Sequence, residues 1–244
     1  MQLFDKLQEI TGIEQNNVAP PDAGMIQTEE RPVPRHHQPR ILDLTKPIDS
    51  AIEIYTEQGY SDPPYECTEW CSVESKGFRV SALCLGTQTG THIDAPAHFD
   101  PQGATLEALP LERLIGRYFL LDLPACAGAE TVGGLCRGFA QEQILFLRAP
   151  QGGKTKLSPA AIELLLSLSP QVWVVDGGIE VEGAPEFEFH RLIARAGKYL
   201  VEDLDHEAAQ AVRPGGEIAA LPLALVGTSG APCRVIVREV AELG

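Results

Sequence analysis

Three residues with metal-binding side chains, His92, Asp94 and His98, lie within one short stretch of the sequence. If the chain from His92 to Asp94 is extended, the two-residue period of a β-strand places both side chains on one face and directs Ile93 into apolar packing. Pro96 then bends the chain, so that His98 can return towards the same point. Imidazole and carboxylate groups suit zinc, manganese and iron. The pattern indicates a metal site, with a hydrogen-bonded surface loop as the alternative.

The same stretch carries a resemblance to a known family. The cyclase-like metal-dependent hydrolases, which include bacterial kynurenine formamidases and isatin hydrolases, have the signature His-x-Gly-Thr-His-x-Asp-x-Pro-x-His-Phe. This sequence is similar at Gln88-Thr-Gly-Thr-His92-Ile-Asp94-Ala-Pro96-Ala-His98-Phe99. Each motif position matches except the first, where Gln88 stands in place of histidine. The likeness runs from about residue 41, where Asp-Leu-Thr-Lys-Pro-Ile resembles the family's opening, to about residue 240.

The resemblance implies two further ligands in the second half of the chain. In kynurenine formamidases a His and a Glu twelve residues apart, on a helix and at a strand end, complete the metal site. His190 and Glu202 have that spacing here. Carried over, the resemblance implies that Asp94 bridges two divalent ions, that His92 and the position of Gln88 hold one ion, and that His190 and Glu202 hold the other. His98 would be a general acid/base beside them.

Gln88 leaves the number of ions open. A glutamine offers a neutral amide oxygen, which is a weaker donor to zinc than a histidine nitrogen. We therefore expect a divalent cofactor, zinc or manganese, with one or two ions per chain. Three arrangements remain open: one ion at Asp94, His190 and Glu202; one ion held among His92, Asp94 and His98; or a two-metal site that prefers manganese or iron.

The function implied is hydrolysis of a C–N bond in a small amide, an aryl formamide or a cyclic amide, by metal-activated water. Hydrolysis of a small ester or lactone is the nearest variant. A non-catalytic descendant that binds a metabolite is the alternative from another class, and Gln88 is the feature that favours it. Aromatic residues Phe99 and Trp70, with Tyr65, are candidates for lining a pocket for an aromatic substrate, although aromatic residues are more often part of a core.

Composition excludes some classes of partner. The 244 residues carry a formal net charge of -15, which argues against nucleic-acid or anionic-membrane binding because both need clustered Lys and Arg. No apolar run is long enough for a membrane span and the N-terminus does not have the order of a signal peptide, so we expect a cytoplasmic protein with reduced cysteines. A small-molecule substrate and a homodimer or higher homo-oligomer are expected from the resemblance.

The fold class predicted is α/β with a mixed sheet. Residues 1–40 are expected to form an N-terminal extension or arm, with a short amphipathic helix at Leu3, Leu7 and Ile10, and residues 41–244 a single domain. The family resemblance implies a barrel-like or swivelling β/β/α arrangement. Strands are predicted at 41–48, 78–85, 118–123, 144–148, 172–176 and 234–240, and helices at 158–168, 186–196 and 204–212. The segment 227–232 is predicted to be a structural turn.

Overall fold

The structure, a computed structural model, describes residues 39–150 and 153–239. Within them the strands are β1 (Arg40–Asp43), β2 (Thr56–Glu57), β3 (Tyr60–Ser61), β4 (Glu66–Cys71), β5 (Val80–Cys84), β6 (His92–Asp94), β7 (Ile115–Asp122), β8 (Cys126–Ala127), β9 (Ile144–Arg148), β10 (Lys154–Leu157), β11 (Val172–Asp176), β12 (Gly178–Val181), β13 (Tyr199–Glu202), β14 (Glu217–Pro222) and β15 (Gly230–Glu239). The helix predicted at Leu3, Leu7 and Ile10, and nearly all of the predicted extension, lie outside the described residues.

The α-helices in the described residues are short. They are α1 (Val73–Lys76), α2 (Ala129–Leu135), α3 (Pro159–Leu166), α4 (Glu188–Arg195) and α5 (His206–Gln210), and 3-10 turns occur at Pro96–His98, Leu106–Ala108, Leu111–Arg113 and Cys136–Gly138. Helix α3 begins as predicted, because the Ser158 side chain accepts the Ala161 N–H and Pro159 takes the first helical position.

The main sheet closes on itself as a barrel. Its order is β1-β15-β14-β7-β9-β11-β13-β6, and β6 also pairs with β15, so that every strand except β1 belongs to a seven-stranded ring. Strands β7, β9, β11 and β13 run parallel to one another, whereas β6, β14 and β15 pair antiparallel with their neighbours. This mixed barrel in an α/β domain confirms the predicted fold class.

Alternate residues of the central strands pack into two different cores. Ile144 and Phe146 of β9 belong to a cluster that fills the barrel, whereas Leu145 and Leu147 pack outside it against α3 and α4. A strand that is buried on both faces has a continuous apolar sequence. This is why the predicted bounds of β9 and β11 are confirmed without change.

The bounds of three other strands differ from those predicted, because tertiary contacts determine where these strands begin or end. Strand β15 begins at Gly230, not at residue 234, because Gly230–Pro232 pairs with β6, so half of the predicted turn at 227–232 is strand. Strand β1 ends at Asp43, not at 48, since the Asp43 carboxylate accepts the Thr45 N–H and starts a turn. Strand β7 begins at Ile115 instead of Tyr118, because its first residues pair with β14.

Two hairpins and a small sheet surround the barrel. Strands β2 and β3 form one hairpin, β4 and β5 form the other, and β12-β10-β8 form a three-stranded parallel sheet. All six cysteines are free thiols, as expected. Across the described ranges, no helix has both the length and the apolar character that crossing a bilayer would need.

Candidate metal centre

Strand β6 places two of the predicted ligands on the outer face of the barrel. Ile93 is fully buried in the barrel core, while His92 and Asp94 point the opposite way and are 5% and 4% exposed. Their side chains lie together, with 3.5 Å between His92 Nε2 and Asp94 Oδ1. The extended conformation is fixed on both sides, because β6 pairs with β13 and with β15.

Glu202 enters the same site from the next strand. It ends β13 directly opposite His92 in the antiparallel pair, and its Oε1 lies 3.4 Å from His92 Nε2. Its other oxygen, Oε2, lies 3.1 Å from Nε2 of His190, which α4 carries over this face of the barrel. The Glu202 carboxylate therefore lies between two imidazoles that come from separate elements.

A backbone carbonyl fixes the orientation of His92. Its Nδ1 lies 2.7 Å from the Gly90 carbonyl oxygen, which can only accept a hydrogen bond. Nδ1 therefore carries a proton, and Nε2 is the nitrogen that faces the two carboxylates. A histidine that donates one ring N–H to a carbonyl while offering the other nitrogen is the usual arrangement of a metal ligand.

One oxygen of Asp94 has no hydrogen-bond partner among the described residues. Asp94 Oδ1 accepts the Gln88 amide, at 3.3 Å, but Oδ2 is fully buried and unpaired. An ionised oxygen buried without a partner costs several kcal/mol, roughly, unless a cation satisfies it. Ligand atoms of His92, Asp94 and Glu202 all lie within 4.8 Å of one another, so the three residues can hold one ion. The donor set of one imidazole and two carboxylates fits a divalent metal.

The electrostatics of this cluster favour bound positive charge. Burial acts to lower the pKa of His92, but Glu202 and Asp94 outweigh it and raise that pKa to about 9. Burial raises the pKa of Asp94. Burial would also raise the pKa of Glu202, yet hydrogen bonds from His190 and His92 lower it, and the same contact with Glu202 raises the pKa of His190 against the effect of burial.

His98 lies beside the ligands and is the most accessible member of the group. It ends the 3-10 turn Pro96–His98, as the bend at Pro96 predicts. Its Nε2 is 4.0 Å from Asp94 Oδ2, and 31% of its side chain is exposed. Its ring packs edge-on against Phe99, with centroids 4.6 Å apart. The side chain can therefore reach both the ligand cluster and a molecule bound in front of it.

A cavity of about 330 Å³ opens in front of these residues. Besides His92, His98, His190, Glu202 and Gln88, its walls contain Tyr55, Glu57, Tyr60, Asp62, Phe99 and Phe187. Phe99 lies among the aromatic rings, 5.1 Å from the His190 ring and 5.8 Å from the Phe187 ring. The cavity thus joins a polar floor to an aromatic wall.

The structure brings together all six of the predicted polar residues and Phe99, but not Trp70. Trp70 is 77% exposed on β4 and does not line the cavity. His92 and Glu202, which the resemblance assigned to two different ions, lie 3.4 Å apart. Sequence analysis missed Tyr55, Tyr60 and Phe187. Phe187 stands three residues before His190, but its inward position depends on a backbone φ of 62° that no sequence pattern indicated.

The curated proteins similar in sequence to this chain include kynurenine formamidases. The chain is 29% identical over 215 residues to a kynurenine formamidase of Bacillus cereus strain ATCC 10987, which covers 82% of this chain and 97% of the relative. It is 28% identical over 222 residues to a kynurenine formamidase of Paracidovorax citrulli, with 83% and 99% covered.

Solved structures share the fold. Isatin hydrolase A from Ralstonia solanacearum superposes with a TM-score of 0.68 at 18% identity, covering 83% of this chain and 92% of that one. A predicted metal-dependent hydrolase from Bacillus stearothermophilus gives 0.63 at 24% identity, with 82% and 98% covered. The family model described as "Putative cyclase" matches residues 42–176, which span more than half of the chain and include β6 and its histidines. The protein therefore belongs to the putative cyclase family.

Proposed function

We propose that this protein is a metal-dependent hydrolase that cleaves the C–N bond of a small amide. The observation that carries the proposal is the buried, unpaired Oδ2 of Asp94, in a carboxylate whose other oxygen lies 3.5 Å from His92 Nε2. His92 and Glu202 line an aromatic-walled cavity directly in front of it. A carboxylate oxygen in that environment is stabilised by a cation. The similarity to curated kynurenine formamidases supports the hydrolase assignment.

The ion would be held by His92 Nε2 and the carboxylates of Asp94 and Glu202, with His190 hydrogen-bonded to Glu202. When bound, a divalent ion there polarises a carbonyl and lowers the pKa of a water molecule towards neutrality. Gly90 holds the His92 ring in the orientation that this requires. His190 holds the Glu202 carboxylate in place through its other oxygen.

His98 is the group placed to move the proton. Its Nε2 faces Asp94 and the cavity, and its side chain is part-exposed, so that a substrate in the cavity contacts it. An imidazole can accept a proton from the attacking water and give it to the leaving nitrogen as the C–N bond breaks. The edge-on contact with Phe99 limits the motion of the His98 ring.

The cavity favours a small aromatic substrate. A volume of about 330 Å³ suits a compound of one or two rings. Tyr55, Phe99 and Phe187 present ring faces and edges against which an aromatic substrate can pack. An aryl formamide or a fused cyclic amide would place its aromatic part on this wall and its carbonyl towards His92 and Glu202.

The test is hydrolysis by metal-loaded protein of a substrate panel: aryl formamides, isatin-like cyclic amides, aryl esters and lactones. We expect turnover of an amide in the first two groups. Asp94→Asn should lose both metal binding and turnover, because the neutral amide no longer offers an anionic oxygen. Asp49→Asn, at an exposed turn residue, is the matched control and should retain both. Full activity in Asp94→Asn, or turnover of esters alone, contradicts the proposal.

A further inference from the structure

Gln88 departs from the family signature, and its contacts differ from those of a ligand. Its side-chain Nε2 lies 3.3 Å from Asp94 Oδ1 and 3.5 Å from Ser229 Oγ. Its Oε1 accepts a hydrogen bond from Thr87 Oγ1 at 2.5 Å. The side chain thus lines the cavity floor while both of its ends are engaged within the protein.

The partners determine which way the amide faces. An ionised carboxylate only accepts hydrogen bonds, so the atom of Gln88 that faces Asp94 must be the NH2 group. The amide oxygen is the atom through which a glutamine can bind a metal, and it is turned towards the Thr87 hydroxyl. In this orientation Gln88 is a hydrogen-bond donor to Asp94 and leaves no ligand atom directed at the cluster.

Strand β15 is shaped to admit this amide. Gly230 pairs with Asp94 across the β6–β15 ladder. A Cβ atom at Gly230 would lie 2.7 Å from Gln88 Nε2 and 2.6 Å from the Ile93 carbonyl oxygen, both closer than real contacts allow. The missing side chain therefore provides the space in which Gln88 reaches Asp94. The Ser229 hydroxyl adds a second acceptor on the same side.

We propose that Gln88 is a positioning residue that donates a hydrogen bond to the Asp94 carboxylate instead of ligating metal, and so restricts the centre to a single ion shared by His92, Asp94 and Glu202. The inference rests on the proposed metal-dependent function. A second ion would need a ligand from position 88, and the Gln88 amide offers none, because its oxygen is engaged by the Thr87 hydroxyl. The arrangement that remains is the three-residue group whose ligand atoms already converge.

The experiment measures zinc and manganese content per chain by elemental mass spectrometry and affinity by competition with a chromophoric chelator. Wild-type protein should bind about one ion, and Gln88→His about two, since the imidazole supplies the missing nitrogen. Gln88→Met keeps the shape of the side chain but removes the donor, so it should still bind one ion, about 10- to 100-fold more weakly. Gln102→His, at an exposed position, controls for an added histidine and should match wild type.

Several outcomes overturn the inference. Two ions in wild type would mean that Gln88 ligates metal. One ion in Gln88→His, or unchanged affinity in Gln88→Met, would mean that the Asp94 contact does not control the centre. If Gln88→Met does not fold, Gln88→Ala also removes the hydrogen-bond donor, and its metal affinity can be measured in its place. One ion with the expected variant behaviour but no amide turnover would overturn the proposed function alone, whereas two ions with turnover would overturn this inference alone. No bound ion in wild type would overturn both.

Discussion

The floor and the rim of the cavity are built in different ways. The floor comes from β6 and β13, where His92 and Asp94 are almost completely buried and each strand is paired on both sides. The rim comes largely from segment 55–62 around the hairpin β2–β3, whose residues are mostly exposed. From this difference we infer that the barrel positions the metal ligands, whereas the choice of substrate depends on the less constrained segment 55–62.

The largest effect is expected when the floor loses a charged ligand. Glu202→Gln keeps the shape of the side chain but removes the negative charge that lies between His92 and His190. We expect metal affinity to fall by more than about a hundredfold, since even removal of a residue that supports a ligand costs 10- to 100-fold. Competition with a chromophoric chelator measures it. Glu180→Gln, whose side chain is 44% exposed, is the matched control.

Metal affinity within a few-fold of wild type in Glu202→Gln would show that the ion is held elsewhere. The residues at the cavity floor would then not be the metal ligands, and the proposed division of roles between floor and rim would be wrong.

The second prediction separates proton transfer from metal binding. His98→Gln should reduce turnover by about 10²- to 10⁴-fold, because the protein loses the group that protonates the leaving nitrogen. Metal content should stay at the wild-type value, since His98 lies outside the converging group of ligand atoms. Turnover measured on metal-saturated protein tests this. Loss of the ion together with turnover would instead make His98 a ligand.

The pH dependence of metal binding offers a third test. Glu202 and Asp94 raise the pKa of His92 to about 9 in the protein without an ion, so the ring carries a proton at neutral pH. An ion must displace that proton, and affinity should rise by about tenfold per pH unit from roughly pH 7 to 8.5. Calorimetry in buffers of different protonation enthalpy measures the proton released. Affinity that does not change with pH over this range would contradict the account of His92.

The smallest effect is expected at the aromatic wall of the cavity, where Phe99 can be compared with an aromatic residue outside the cavity. Phe99→Leu removes a ring that contacts both Phe187 and His190, and the KM of an aromatic substrate should rise by about three- to tenfold. Trp70→Leu should leave KM unchanged, because Trp70 lies on the exposed hairpin β4–β5 outside the cavity. Steady-state kinetics compare the two. An equal rise in KM for both variants would contradict the statement that Phe99 contacts the substrate and Trp70 does not.

The sequence predicted the floor better than the rim for a physical reason. His92, Asp94 and His98 lie in one local motif, and the period of a strand is enough to place the first two on one face. The contact of His92 with Glu202 depends on the register between β6 and β13, which no local pattern shows. Trp70 was chosen for its residue type alone, and its tertiary position differs. The roles assigned to the site residues, the homo-oligomer and the small-molecule substrate stay predictions.

The most direct test of the central claim is removal and return of the metal. Protein treated with a chelator and freed of it should lose hydrolysis of its amide substrate while keeping its fold by circular dichroism. Adding about one equivalent of zinc or manganese should restore turnover in wild type but not in Asp94→Asn. Undiminished turnover by protein that elemental analysis shows to be free of metal would contradict the account of His92, Asp94 and Glu202 as the reactive centre.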